Sequence, residues 1–203
     1  KYHMTMPGRF VSQGLLAEMV KAGCRFCVIE VTSEGVKQWR HKGIFYDIAV
    51  FTGLTLEHLE AHGGSFEEYK KAKGKLFASL ARYKHKVLEG KLVPKMIFAN
   101  YDSEHKDYFL GFWADRKITF GLAEGADLTA QDIKNTAKGI SFSADSEIYH
   151  LNIAGEFNAL NSLPAIALGT ELKILPENIR EALAKLEVIP GRMEKIEEGQ
   201  KFK

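Results

Sequence analysis

The chain has 203 residues, 45% of them hydrophobic and 27% charged, with 28 basic against 26 acidic side chains and a net charge of +2. That balance excludes a disordered chain and offers no basic field for nucleic acid or for a membrane surface. Two cysteines exclude a disulfide framework, and no apolar run reaches the ~18 residues that cross a bilayer.

In chain order, the first segment, KYHMTMPGRF, is polar loop and carries no secretory signal, which predicts a cytoplasmic protein. SQGLLAEMVKAG puts Leu15, Leu16, Met19 and Val20 on one helical stripe, with Gly23 as the stop. RFCVIEV then reads as a buried strand, so Cys24 and Cys27 are expected to be buried structural cysteines rather than a redox pair or half a zinc site. FYDIAVFT is a second buried strand, and helix followed by apolar strand is the rhythm of a parallel sheet. Thr55 can cap LEHLEAHG, and Ser65 with Glu68 makes a capping box for FEEYKKAKGKLFASLARY. KMIFANYD is a third buried strand. DYFLGFWA, KITFGL, KGISFSA and EIYHLNI read as short strands of an antiparallel layer. FNALNSLPAIALGTEL returns to helix, and LPENIREALAKLEVI is an amphipathic helix with Leu183 and Leu186 on its stripe. There is no internal repeat, low-complexity tract or evident linker. The expected architecture is α/β: a three-layer α/β/α domain over residues 1–203 with a mostly parallel sheet and a small antiparallel accessory sheet.

Three residues stand out chemically. Glu30 lies near the carboxyl end of the first predicted strand, where open α/β sheets bind ligands, and an unpaired carboxylate within an apolar run is costly. His58 follows the exit of the next strand. A capped glutamate and a surface histidine explain the two positions equally well. Lys73 shares a helical face with Phe66, Tyr69, Leu76, Phe77 and Leu80, whereas Lys71 and Lys75 point elsewhere. Apolar packing favours the neutral amine. Taken alone, however, Lys73 reads as a snorkelling side chain whose stem covers the core. His58 and His62 are spaced i, i+4, but the glutamate between them is misplaced for a zinc-protease helix and no third ligand is evident. No phosphate-loop or dinucleotide-binding glycine pattern occurs.

Taken in order, the segments resemble one family, the Mur ligases. MTMP is similar to that family's Thr-Thr-Pro substrate segment, and VIEVTSEGVKQWR to its Glu-Val-Ser-Ser strand exit with downstream Gln and Arg. VFTGLTLEHLEAHG resembles its Phe-Thr-Asn-Leu, Asp-His-Leu and His-Gly run, and FEEYKKAKGKLF its tyrosine–lysine helix. GEFNALNSLPAIA and PGRME resemble late motifs of the central, ATP-binding domain.

The resemblance implies an ATP-dependent amide ligase of peptidoglycan precursor synthesis, one that adds the third amino acid to a UDP-N-acetylmuramoyl-dipeptide. ATP would phosphorylate the substrate carboxylate, and the incoming amine would displace phosphate. By resemblance, Glu30 and His58 match magnesium-site residues, and His58 and Lys73 match catalytic ones. Lys73 matches the lysine carbamylated by carbon dioxide, whose new carboxylate helps to hold Mg2+. Thr5, Thr32, Gln38 and Arg40 match contacts to the UDP-muramoyl substrate, and Asn158, Asn161 and Arg192 match nucleotide contacts. The implied ligands are therefore ATP, Mg2+, a UDP-muramoyl-peptide and an amino acid, with no nucleic acid and no membrane. Departures from the family pattern are Met6, Glu34, Gly53, the added Gly64 and Ser103 in NYDS. Both ends read as cut. The family's phosphate loop is expected upstream and its amino-acid-binding domain downstream, so this segment alone is expected not to turn over ATP. Two rival readings are a folylpolyglutamate or cyanophycin synthetase-like ligase and a non-catalytic module that holds a UDP-muramoyl-peptide.

Overall fold

A computed structural model describes residues 5–56, 59–136 and 139–186. His58, Arg192 and the segment PGRMEKIEEGQ lie outside the described residues. The chain forms two compact units, Lys1–Ala99 with His105–Lys117, and Asn100–Glu104 with Ile118–Lys203. Parallel strand pairs alternate with helices, and a separate antiparallel sheet is present, as the α/β reading anticipates.

In the first unit, helix α1 (Arg9–Lys21) ends as predicted at Gly23, whose φ of 76° needs glycine's freedom at a helix stop. Its apolar stripe is not a core face. Ser12 is its buried residue, and Phe10 and Val20 stand in solvent. The expected strand RFCVIEV does not form. Residues 26–32 form neither strand nor helix, Val28 is 93% exposed, and both cysteines are exposed rather than buried. A strand needs a neighbour to take its backbone N–H and C=O groups. Without one, β-branched composition does not make a strand.

Helix α2 (Ser33–Lys37) is capped by Thr32, whose Oγ1 accepts from Gly35 N at 3.0 Å. Strand β1 (Ile48–Phe51) follows, then a 3₁₀ turn at Leu59–His62 where a Thr55-capped α-helix was expected. Helix α3 (Phe66–Leu80) starts at the predicted cap, with Ser65 Oγ accepting from Glu68 N at 3.3 Å. The box does not close, because Glu68 pairs with Lys71 at 3.0 Å instead. After the short hairpin β2 (Val87–Leu88) and β3 (Lys91–Leu92) comes β4 (Met96–Asn100), buried at every residue and parallel to β1.

DYFLGFWA, expected as strand, instead supplies most of helix α4 (Lys106–Leu110). Its aromatics suit a strand by propensity, but helical spacing brings Phe109 onto Phe51 at 3.9 Å and Phe77 at 4.8 Å between ring centroids. Tertiary packing overrides local preference here. These rings, with Ala49, Leu80, Ile97 and Ala99, form the core of the unit.

The close fit of α3 and α4 depends on Gly74. A Cβ there would lie 2.9 Å from Tyr108 Cε1 and 3.0 Å from Phe112 Cζ. Gly74→Ala gains up to ~1 kcal/mol of helix propensity but overpacks this contact, at a cost of about 1–3 kcal/mol. We expect a net loss of stability, read as a lower urea midpoint at unchanged m-value. A rise in the midpoint would show that the rings yield freely.

Strand β5 (Arg116–Gly121), which belongs to the second unit from Ile118 on, runs parallel to β6 (Leu128–Thr129), so KITFGL belongs to a parallel pair and not to the antiparallel layer. That layer is β7 (Gln131–Thr136), β8 (Gly139–Ala144) and β9 (Glu147–Leu151). On β8 the alternate residues Ile140, Phe142 and Ala144 are buried, the period-two signature of a one-sided sheet. Helix α5 (Phe157–Glu171) contacts β8, and α6 (Pro176–Ala184) contacts β9. Leu183 is buried as expected, while Leu186 falls past the helix end and is 41% exposed. Asp102 accepts from Leu122 N at 2.7 Å and Ala123 N at 3.0 Å, holding the turn after β5.

Candidate active site around Lys73

Helix α3 buries Tyr69, Ala72, Phe77 and Leu80, and Lys73 rides on the same side, half-buried. Lys71 and Lys75 are exposed, as the helical phase predicts. Burial pushes the Lys73 ammonium below its ordinary pKa, and the Glu30 carboxylate opposes that shift only in part. Glu30 is therefore close enough to act on Lys73 although the strand expected to carry it does not form. The Lys73 Nζ lies 5.5 Å from the centre of the Tyr69 ring, which in turn faces His62 at 5.3 Å.

A cavity of about 50 Å³ adjoins Lys73, lined by Val31, Thr52, Gly53, Phe51 and Leu76 among others. It sits at the carboxyl end of β1, the position at which parallel sheets hold ligands. A water occupies ~30 Å³ in the liquid, so the space admits a group of about carboxylate size on the amine.

The residues expected to touch substrate also gather in part. Arg40 donates to the Met6 carbonyl and to Gln38 Oε1, tying the MTMP segment to the end of α2. Met6 is fully buried against Gly35, where an added Cβ would come within 2.8 Å of its Sδ. Thr5 is exposed beside this junction, and the Thr32 hydroxyl is engaged as a helix cap. Met6, which departs from the family's second threonine, thus anchors the loop by packing.

The nucleotide candidates belong to the second unit. Asn158 is buried on α5 and donates from Nδ2 to the Ala154 carbonyl at 2.8 Å, while Asn161 is exposed. His62, set aside in the sequence as structural, is buried, and its Nε2 has no partner among the described residues. Burial, with help from Lys37, lowers its pKa against the pull of Glu34 and Glu68. No cluster of three His, Cys, Asp or Glu side chains that could hold a metal occurs among the described residues. A carboxylate on Lys73 beside Glu30 would supply two oxygen donors. Magnesium asks little more of the protein, since it keeps waters and substrate phosphates as its other ligands.

Two groupings were not legible in the sequence. One is the fully buried Lys95, which donates from Nζ to the Tyr46 carbonyl at 2.6 Å and to Asp47 Oδ1 at 3.0 Å. The other is a basic cavity formed by Trp39, His41 and Lys42 with Lys75 and Arg82. Each unites residues more than 30 positions apart, and no local pattern marks such a pairing.

The Mur ligase middle domain profile matches residues 1–169. The chain is 37% identical over 203 residues to the UDP-N-acetylmuramoyl-L-alanyl-D-glutamate–2,6-diaminopimelate ligase of Geobacillus kaustophilus, covering 98% of the chain and 40% of that protein. It is 35% identical over 201 residues to the UDP-N-acetylmuramyl-tripeptide synthetase of a Roseiflexus species, covering 94% of the chain and 38% of the relative. It therefore spans about two-fifths of the length of these relatives. A solved UDP-N-acetylmuramoyl-L-alanyl-D-glutamate–2,6-diaminopimelate ligase superposes with a TM-score of 0.79 at 25% identity, over 94% of this chain and 38% of that one. A MurF ligase from Thermotoga maritima in complex with ADP shares the fold at 18% identity, with a TM-score of 0.56 over 75% of this chain and 33% of that one. A profile matched over most of the chain, and relatives at this identity along nearly all of it, show that the chain belongs to the Mur ligase family.

Proposed function

We propose that this chain is the central part of an ATP-dependent ligase that joins an amino acid to a UDP-N-acetylmuramoyl-dipeptide in peptidoglycan precursor synthesis. The relatives named for that reaction support the substrate class, and the observation that carries the site is Lys73. Its amine is half-buried at the exit of β1, held below its ordinary pKa, with Glu30 beside it and a small cavity next to it.

The neutral amine attacks carbon dioxide through its nitrogen lone pair and releases one proton to give a carbamate anion, so that conversion from the ammonium releases two protons in all and replaces a cation by a carboxylate. Lys73 as its carbamate, with Glu30 and His58, would hold Mg2+. The ion, when bound, neutralises charge on the transferring phosphoryl group. Arg40 and Gln38, with the MTMP loop they tie down, would receive the anionic UDP-muramoyl substrate, where a planar guanidinium suits phosphate or carboxylate. Asn158, Asn161 and Arg192 would meet the nucleotide. One N–H of the Asn158 amide is already engaged with Ala154, which leaves its carbonyl oxygen and its other N–H for adenine.

Calorimetry tests this reading. Titration of the chain with UDP-N-acetylmuramoyl-dipeptide is expected to show saturable binding that Arg40→Ala weakens by at least about tenfold, ~1.4 kcal/mol. A folate substrate is expected to give no heat. Equal binding of folate would favour the folylpolyglutamate synthetase-like alternative and overturn the muramoyl one.

A further inference from the structure

On the other side of α3 from Lys73 lies the larger of the two cavities described in the first unit, about 280 Å³. Its lining includes Trp39, His41 and Lys42 from the turn after α2, Lys75 and Ser79 from α3, and Arg82 from the turn that follows α3. The two cavities share only Val36. Lys75 on α3 and Arg82 in the turn just past its C-cap Ala81 both line this space. Among the described residues, none that lines the cavity carries a carboxylate.

Three features need explaining together. First, three cations crowd one concave space. Lys42 has its pKa lowered by burial and then by the like charges of Arg82, Arg9 and Lys75. Second, His41 is buried and its Nδ1 has no hydrogen-bond partner among the described residues, a cost that structures rarely leave uncompensated. Burial and the charges of Lys42, Lys75 and Arg82 lower its pKa.

Third, Trp39 has a φ of 63°, in the left-handed region. It occupies the position after the α2 C-cap, where Trp39 N bonds to Val36 O at 3.0 Å and Arg40 N to Gly35 O at 2.8 Å. Glycine is the usual residue at that point of such a helix stop. A tryptophan there carries backbone strain that glycine would avoid. Its indole lies under Lys42, with Nζ 3.0 Å from the ring centre, so the strained turn aims the lysine.

We propose that this cavity is a second anion site, which binds a small phosphate-bearing molecule of at least two negative charges. Lys42, Lys75 and Arg82 neutralise it, and the His41 imidazole donates to it. The site does not depend on the ligase reading, because it contains none of the residues assigned to that chemistry.

Trp39 reports on its own site. Trp113→Phe leaves it as the sole indole, since the chain has two tryptophans. In that background, inorganic pyrophosphate is expected to change the emission saturably, with half-saturation below about 1 mM, and ³¹P line broadening is expected to follow the same curve. Lys75→Gln combined with Arg82→Gln should raise the half-saturation point at least about tenfold, ~1.4 kcal/mol. Both residues are exposed, so the urea midpoint should hold. Lys71→Gln, on the same helix but outside the cavity, should bind as the parent does. Phenyl phosphate that binds tighter than inorganic phosphate would assign an organic ligand, and equal binding an inorganic one. Absence of saturation by both readouts overturns the site. So does an equal loss in Lys71→Gln, which would mean bulk charge attraction.

Discussion

Lys73→Ala and Lys73→Arg, made in a full-length protein that contains this chain, are each expected to lower ligation kcat by about 10²–10³-fold, or ~2.7–4 kcal/mol of transition-state stabilisation. Arginine keeps the positive charge and most of the stem but forms no carbamate, so its failure separates the modification from packing. In ¹³C-bicarbonate, the unsubstituted protein should show one carbamate carbonyl resonance that both variants lack. The pH dependence has a definite sign. Carbamate forms from the neutral amine, and burial moves the Lys73 pKa down, so the resonance should strengthen as pH rises toward that pKa and fade in acid. Lys71 is shifted the other way by its hydrogen bond to Glu68 and should stay unmodified at the same pH. The same shift affects stability. A lysine whose folded pKa lies below the ordinary 10.5 makes the fold gain stability as pH rises from the folded value to the unfolded one. Wild-type turnover by Lys73→Ala, or carbamate on several lysines, would remove Lys73 from the mechanism.

Asp47→Ala is expected to destabilise the first unit by about 3–5 kcal/mol, a figure typical when one partner of a buried ion pair is removed. Lys95 is completely buried, and Asp47 is its counter-ion at 3.0 Å. Without the carboxylate, the buried ammonium keeps the Tyr46 carbonyl as its one partner among the described residues. Lys95→Met should cost less, about 2 kcal/mol or below, because Asp47 still has Lys86 and the methionine fills the space with an apolar chain. Added salt should change neither value much, since a pair shielded from solvent is poorly screened. Urea unfolding of both variants at low and high salt measures this. Equal losses, or losses that vanish in salt, would show that the pair behaves as a surface ion pair.

The sequence by itself determined the features that depend on local period and capping. Ser65 begins α3 where the cap predicts, Gly23 ends α1, and β4 is buried at every residue, as its unbroken apolar run requires. The phase that separates Lys73 from Lys71 and Lys75 follows from 3.6 residues per turn alone. Only tertiary structure decided the rest. RFCVIEV carries a strand's composition but has no neighbour among the described residues to accept its backbone hydrogen bonds, so it stays unpaired there and its Cys27 is exposed. DYFLGFWA has strand propensity, but the space beside α3 accepts Phe109 from a helix. KITFGL looks like any short amphipathic strand, and its parallel direction is set by β6, the partner it meets after a turn. Lys95, Asp47 and the basic cavity join distant residues whose charges gain meaning only when folding removes the water between them, and no spacing along a chain encodes that loss of solvent.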